Sequence, residues 1–450
     1  MVIAALRTSM KQLHAIRERN AGVLALPVLG LLACGATGLD REPAQAYLED
    51  PGFARDELVA SLVNPSNGYS RLRLAHYATG DAADWDRLPE WNPPAEPIPA
   101  DELDQPGGAS PTAMSDRAAP LPLPAAVTRE DDPALVAFGQ AAFERYPTQL
   151  APSLVVALAS RAAAARYGVW VDPRAGVGGL VRARMADGSG ALAVTCSSCH
   201  AAPASGGGVA PGVPNAALDI GAAVLDARGD PAALSTDPFA AWGPGRVDVT
   251  TTTGLEPARI PDLRPTRWLT YLQQDATVRA RGATGLAIRI ETLIITSHQA
   301  ALRPPRLVAL ALAAYLRSLA GTLPSADAAV ATSPRGAEVF EATCAGCHAP
   351  PGFTGEPVAL ALVGTDPTLG LSADRGTGCY RVPSLRGAGS RGPLLHDATV
   401  PSIDALFDPA RLSDGFTRRL HGSGAVPGHP FGLDLLDEDR EALIAYLQML

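Results

Sequence analysis

Residues 196–200 read CSSCH and residues 344–348 read CAGCH, and the spacing inside each pentad decides how the whole chain is read. Cysteines three apart put both sulfurs on one side of a helical turn, where they can add to the two vinyl groups of a haem. A histidine placed straight after them can reach the iron. The attachment residues are Cys196, Cys199 and His200 in the first pentad and Cys344, Cys347 and His348 in the second. Other chemistries also use paired thiols: a thioredoxin-like redox pair opens a helix in a βαβ unit, and a zinc site draws two such pairs from one domain. Neither suits a histidine directly after both pairs, followed within a few residues by Pro203 in one case and by Pro350 and Pro351 in the other. The expectation is two covalently attached c haems, with His200 and His348 as their first axial ligands.

Outward from the pentads, the same order of features occurs twice. The first unit runs from DPALVAFGQAAFERYP (132–147) through CSSCH to PRLVALALAAYLRSLAG (305–321), where apolar residues recur at helical spacing. The second opens with SPRGAEVFEATCAGCH (333–348), in which Ser333 and Pro334 read as N-cap and first helical residue, and closes with EDREALIAYLQML (438–450). An AYL triplet ends each unit: Tyr315 lies 115 residues after His200, and Tyr446 lies 98 after His348. The order implies a duplicated domain. The fold expected is mainly α, two class-I-like cytochrome c domains in tandem, over residues 130–325 and 326–450. With 44 glycines and 41 prolines in 450 residues, long loops should join the helices.

The N-terminus reads as a processing signal over residues 1–33. Lys11, Arg17 and Arg19 precede thirteen apolar residues, Ala21 to Ala33, too few for the about 20 that span a bilayer. The LLACG sequence around Cys34 resembles a bacterial lipobox, which implies cleavage and lipidation at Cys34. The mature protein would then sit in the cell envelope, anchored by lipid on the periplasmic side of a bacterial membrane. Loss of the leader removes four basic residues and one acidic one, taking the net charge from −9 to −12. Such a chain lacks the phosphate-neutralising surface that nucleic-acid binding requires. Lys11 is the sole lysine, so lysine Schiff-base chemistry is excluded beyond the leader. Residues 34–129 make an N-terminal segment, with Tyr47, Phe53, Tyr69, Tyr77, Trp85 and Trp91 as anchors, and a Pro/Gly-rich run over 92–124 that reads as an extended linker.

From about residue 130 to 450 the sequence resembles the di-haem cytochrome c superfamily that includes bacterial cytochrome c peroxidases and rubber oxygenases. The second unit carries the resemblance: after CAGCH come GTDP (364–367), YRVPSLRG (380–387), GPLLHDATVPSIDALF (392–407) and GHPFG (428–432). It implies a di-haem protein that either carries electrons or, as a peroxidase or oxygenase, works on a small molecule at an open iron.

The sixth ligand separates these two functions, because a histidine or methionine there makes a carrier and an open position makes an enzyme. After His348 the one methionine is Met449, beyond the closing helix. In the peroxidase relatives a methionine follows the histidine of the equivalent HDG block by fourteen residues, and here that position is Ala410. His429, in a Gly/Pro-rich loop ahead of the closing helix, is the expected ligand of the second iron. His421 is an alternative, and His396 fits a second-sphere hydrogen bond. For the first iron His298 stands in the matching place, with no methionine between His200 and His348. The competing arrangement leaves that iron open near Trp242 or Trp268. Arg381 and Arg386 are candidates for pairing with haem propionates, since a guanidinium forks onto a carboxylate. Cys379 is left without a role, and His76 reads as an ordinary packed or surface residue. The reading reached is a lipid-anchored di-haem cytochrome that exchanges electrons with partner proteins, with a di-haem peroxidase or oxygenase as the alternative.

Overall fold

The computed structural model describes residues 42–450 apart from 126, 128, 230–236 and 250–255. The leader (1–33) and Cys34 lie outside the described residues. Among those described, fifteen α-helices carry the architecture and every strand is short. The described residues start with α1 (Pro43–Glu49), α2 (Pro51–Ser61) and α3 (Gly68–His76). The break between α1 and α2 is local chemistry: the Asp50 carboxylate accepts from the Gly52 and Phe53 N–H groups, and Pro51 takes the first helical position.

The central layer is α4 (Pro133–Arg145), α6 (Gly282–Ser297) and α7 (Arg306–Ser318), with the short α5 (Cys196–His200) beside α4. From Val308 to Leu316 no residue of α7 is more than 5% exposed, so this helix is apolar on every side and α4 and α6 cover it. The N-terminal segment straps onto this layer. The Tyr47 and Tyr77 hydroxyls both donate to Glu291 Oε2 on α6, at 2.8 and 2.7 Å, and Arg306 lies 3.5 Å from the other carboxylate oxygen. Arg306 also pairs with Asp86 at 2.9 Å.

The C-terminal part rests on α8 (Pro334–Thr343) crossed by α9 (Asp437–Met449). Ser333 occupies the N-cap position of α8, but its hydroxyl donates to the Ala442 carbonyl (3.0 Å) and makes no cap bond. The α4–α7 and α8–α9 crossings match residue for residue. A Cβ on Gly139 would lie 2.0 Å from the Ala311 carbonyl oxygen and 2.8 Å from Tyr315 Cβ; one on Gly336 would lie 2.1 Å from the Ala442 oxygen and 2.7 Å from Tyr446 Cβ. Four residues further along, Phe143 meets Tyr315 and Phe340 meets Tyr446, both with ring centroids 5.4 Å apart. Only glycine lets the backbones approach this closely, and the aromatic pair fills the space alongside.

The two parts differ between the opening helix and the pentad. Cys344 follows Phe340 by four residues and caps α8, whereas Cys196 follows Phe143 by 53. Three strands of a four-stranded antiparallel sheet occupy that interval: β2 (Gln149–Leu150), β3 (Leu180–Arg184) and β4 (Gly190–Val194). Pairing of Gln149 with Val194 returns the chain to the end of α4 just before Thr195 and the pentad. The sheet order is β1-β3-β4-β2, with β1 at Ala95–Pro97.

The Pro-rich run over 92–124 is not a free linker: it holds a short strand and a turn of 3-10 helix (Ala100–Asp104) and packs onto the fold. β1 pairs with β3 through Ala95↔Ala183, and Ile98, Leu103, Ala109 and Leu121 are buried. Edge strands tolerate proline because one side of the ladder faces outward, which is the place this segment takes.

Candidate haem sites

The first pentad is one helical turn, so Cys196 and Cys199 lie on one side as their spacing requires. The chain is held there by close backbone approach. Thr195 Oγ1 and Ser198 Oγ both donate to the Gly179 carbonyl, at 3.0 and 2.9 Å, and a Cβ on Gly179 would lie 2.3 Å from Ser197 Oγ. His200 Nδ1 is 3.0 Å from the Pro261 carbonyl and donates to it, so the other ring nitrogen is the one left for a metal.

The second pentad is a turn closing α8: the N–H groups of Cys347 and His348 both donate to the Cys344 carbonyl, at 3.1 and 3.0 Å. His348 Nδ1 lies 3.1 Å from the Phe353 carbonyl. Both histidines thus have the ring orientation that iron ligands adopt. Burial pushes the pKa of each down to about 4, which keeps the imidazole neutral and able to donate its lone pair at neutral pH.

None of the four pentad cysteines is in a disulfide. Burial pushes Cys196, Cys199 and Cys344 up to about 12 and raises Cys347. A thioredoxin-type nucleophile needs the opposite shift. The donor set fits a covalently attached haem at each pentad: two thiols on one side of a turn, then an oriented, neutral imidazole.

The structure brings His429 to the second pentad. His429 has φ +45°, and its N–H donates to the Val363 carbonyl at 2.6 Å. It is half-buried, its Nδ1 is buried without a partner, and its pKa falls to about 4 through loss of solvent first and the charge of His348 second. The loop is tied in two ways that the sequence did not announce. Gly428, at φ +87°, passes so close to the GTDP stretch that a Cβ would lie 2.3 Å from the Thr365 nitrogen. Arg411, fully buried, donates to three carbonyls: Leu406 (2.8 Å), Val426 (2.7 Å) and His429 itself (2.8 Å). A lone Arg in DPARLSD carries no motif that would have marked it.

His298 is placed differently. It ends α6, buried, with its ring edge-on to Trp91 at 4.6 Å. The Pro147 carbonyl acts on it and its Nε2 is buried without a partner. Burial alone depresses its pKa, and His200 is not among the groups acting on it. The two histidines match along the sequence, but only His429 is close enough to the histidine of its own pentad for that charge to lower its pKa.

The remaining candidates are accounted for by their contacts. His396 stacks on Tyr380 (4.1 Å), its Nε2 3.1 Å from the Tyr380 hydroxyl. His421 sits against Gly243 and the Pro244 carbonyl. His76 stacks on Trp85 at 5.8 Å. Trp242 is buried against Phe239, and Trp268 carries Arg386 over its ring at 4.9 Å. Cys379 is half-buried in a two-residue strand opposite Ala359. Arg381 is buried with Nε unpartnered, while Arg386 turns away and donates to the Pro324 carbonyl.

Residues 333–450 match the cytochrome c family. These residues form a c-type cytochrome domain, and such a domain holds covalently bound haem c and transfers electrons through it. No curated protein matches the chain.

Proposed function

We propose that the chain is a two-haem c-type cytochrome that moves electrons, built from a second cytochrome c domain in front of the one over 333–450. The observation that carries this reading is the matched helix crossing. Gly139 with Phe143 against Ala311 with Tyr315 repeats Gly336 with Phe340 against Ala442 with Tyr446, and a CxxCH pentad follows each opening helix. The 53-residue interval between Phe143 and Cys196 gives a physical reason why a family pattern that expects the pentad at the helix end covers the second part alone. Each haem supplies reversible one-electron chemistry. The protein's own residues hold it by two thioethers, orient His200 and His348 through backbone carbonyls, and keep water away by burial. His429 is the proposed sixth ligand of the second iron.

A di-haem cytochrome with a leader and Cys34 fits a lipid-anchored protein of the cell envelope that serves protein redox partners. The test is a spectroelectrochemical titration of the purified protein: two one-electron waves support the proposal, and a single wave contradicts it.

A second reading has its own observation. Among the described residues no histidine acts on His200 as His348 acts on His429. A first iron with an open face would make the protein an oxidoreductase of the di-haem peroxidase or oxygenase kind. Carbon monoxide separates the readings: binding by the reduced protein at the first haem favours the enzyme, and no binding favours the carrier.

A further inference from the structure

Residues 64–69 of the N-terminal segment reach past the part that carries CSSCH and bond to the C-terminal part. The first N–H groups of a helix have no carbonyl inside that helix to bond. Two of those in α3 find one on the loop over 372–377: Gly68 N–H donates to the Ala373 carbonyl (3.0 Å) and Tyr69 N–H to the Asp374 carbonyl (2.6 Å). Just ahead of them, Asn64 and Asn67 both donate through Nδ2 to the Gly376 carbonyl, at 2.9 and 3.3 Å, and that oxygen has two lone pairs to receive them. Each asparagine uses its other amide atom locally. Asn64 Oδ1 accepts from Ser66 N–H (3.0 Å), and Asn67 Oδ1 caps α3 by accepting from Ser70 N–H (2.9 Å). Asn67 and Tyr69 are buried, so a donor left unmade here costs more than the finished bond contributes.

Other atoms of the same segment fasten it to the CSSCH part. Besides Tyr47 and Tyr77 on Glu291, Arg73 Nε donates to Thr292 Oγ1 on α6 (3.1 Å), Glu57 pairs with Arg281 (2.9 Å), and Val63 N–H donates to the Thr277 carbonyl (3.0 Å). The CSSCH part also holds the loop directly, through Arg375 paired with Asp275 at 3.1 Å and Thr277 Oγ1 donating to the Arg375 carbonyl. The gripped loop belongs to the surroundings of the second pentad. Gly378 N–H donates to the Gly370 carbonyl (2.9 Å) and the Tyr380 hydroxyl donates to the Asp366 carbonyl, which ties the loop to the GTDP stretch on which Gly428 closes.

We infer that the N-terminal segment is a brace between the two parts: residues 64–69 position the C-terminal cytochrome c domain on the CSSCH part, and this fixes the separation across which the two haems exchange an electron. Asn64, Asn67 and Gly68 are its positioning residues. A segment that only covered the apolar face of α6 and α7 would present no polar atoms to the loop over 372–377. Anchorage on one part raises the effective concentration of the second set of contacts, so a few ordinary hydrogen bonds suffice to hold the joint. The electron-transfer half of this inference rests on the two-haem reading.

The double variant Asn64→Asp/Asn67→Asp tests the brace in the full-length, haem-loaded protein. Each carboxylate keeps the local acceptor, and at Asn67 the helix cap, while both donors to Gly376 are lost. Hydrogen exchange at the Gly68 and Tyr69 amides should become about tenfold faster, because the joint opens more often once those bonds are gone. Pulse radiolysis reads the other half: after one-electron reduction, the concentration-independent phase in which the haems share the electron should slow. Gly68→Val is the second variant should the first not fold. The three atoms nearest a Cβ there all belong to Asp374, the closest at 3.2 Å, so the new side chain presses on the C-terminal part. Asp56→Asn, exposed on α2, is the control and should change neither readout. Unchanged amide exchange would overturn the inference. Faster exchange with an unchanged intramolecular phase would also overturn it, by showing that direct contacts between the parts hold the haems unaided. Failure of the two-haem reading shows separately, as the lack of any intramolecular phase in the unsubstituted protein.

Discussion

Substituting alanine for Gly139 or Gly336 tests the two helix crossings on which the matched architecture depends. The new Cβ would sit 2.0 Å from the Ala311 oxygen in one case and 2.1 Å from the Ala442 oxygen in the other, where real Cβ contacts begin near 3.0 Å. Backbone must therefore open by about 1 Å at each crossing, since the obstructing atom cannot rotate away. Overpacking of this kind costs about 1–3 kcal/mol, and the upper end applies where backbone blocks backbone. Alanine recovers up to about 1 kcal/mol relative to glycine inside a helix, which leaves about 2 kcal/mol of net loss. For a urea dependence of about 1–3 kcal/mol per molar, the unfolding midpoint should fall by about 0.7–2 M, read by far-UV circular dichroism. Gly321→Ala, which adds a Cβ with nothing within 4 Å, is the control and should not move. If Gly139→Ala and Gly336→Ala both unfold where Gly321→Ala does, the close-approach reasoning is wrong.

Other expectations follow from single side chains. His429→Ala should convert the second haem from low to high spin in the visible and EPR spectra, and an unchanged spectrum would remove His429 as ligand. Arg411→Ala frees the Leu406, Val426 and His429 carbonyls together, so it should give a mixed-spin second haem while the first stays as it was; a purely low-spin variant would show that the loop holds itself. Glu291 has its folded pKa raised above 4.5 by burial, which outweighs the opposing pull of Arg306. The folded chain then keeps a proton that the unfolded chain has lost in the range above pH 4.5, and stability falls as pH rises through that range. Glu291→Gln should flatten this slope, as measured by urea midpoints from pH 4.5 to 8, and parallel slopes would contradict the assignment.

How much of this was legible beforehand depended on whether the information was local. The pentads, the prolines after them and the AYL triplets are short-range patterns, and each fixes a turn or a helix face without help from the rest of the fold. His429 could be reached by elimination because methionines are so few. His298 could not be judged the same way: equal spacing ahead of a closing helix does not say which way the ring turns, and Trp91, more than 200 residues earlier, is what it packs against. Composition misled for residues 92–124, because a proline-rich strand at a sheet edge reads the same as a linker. Arg411 was silent for a related reason. An isolated arginine in a loop announces a surface charge, and only the three-dimensional path of the loops buries it.

The most direct measurement of the central claim is the covalent haem content of the purified protein, by intact mass together with the pyridine haemochrome. The account predicts two thioether-bound haems per chain, one on the peptide with Cys196 and Cys199 and one on the peptide with Cys344 and Cys347. One adduct, confined to the second peptide, would contradict it.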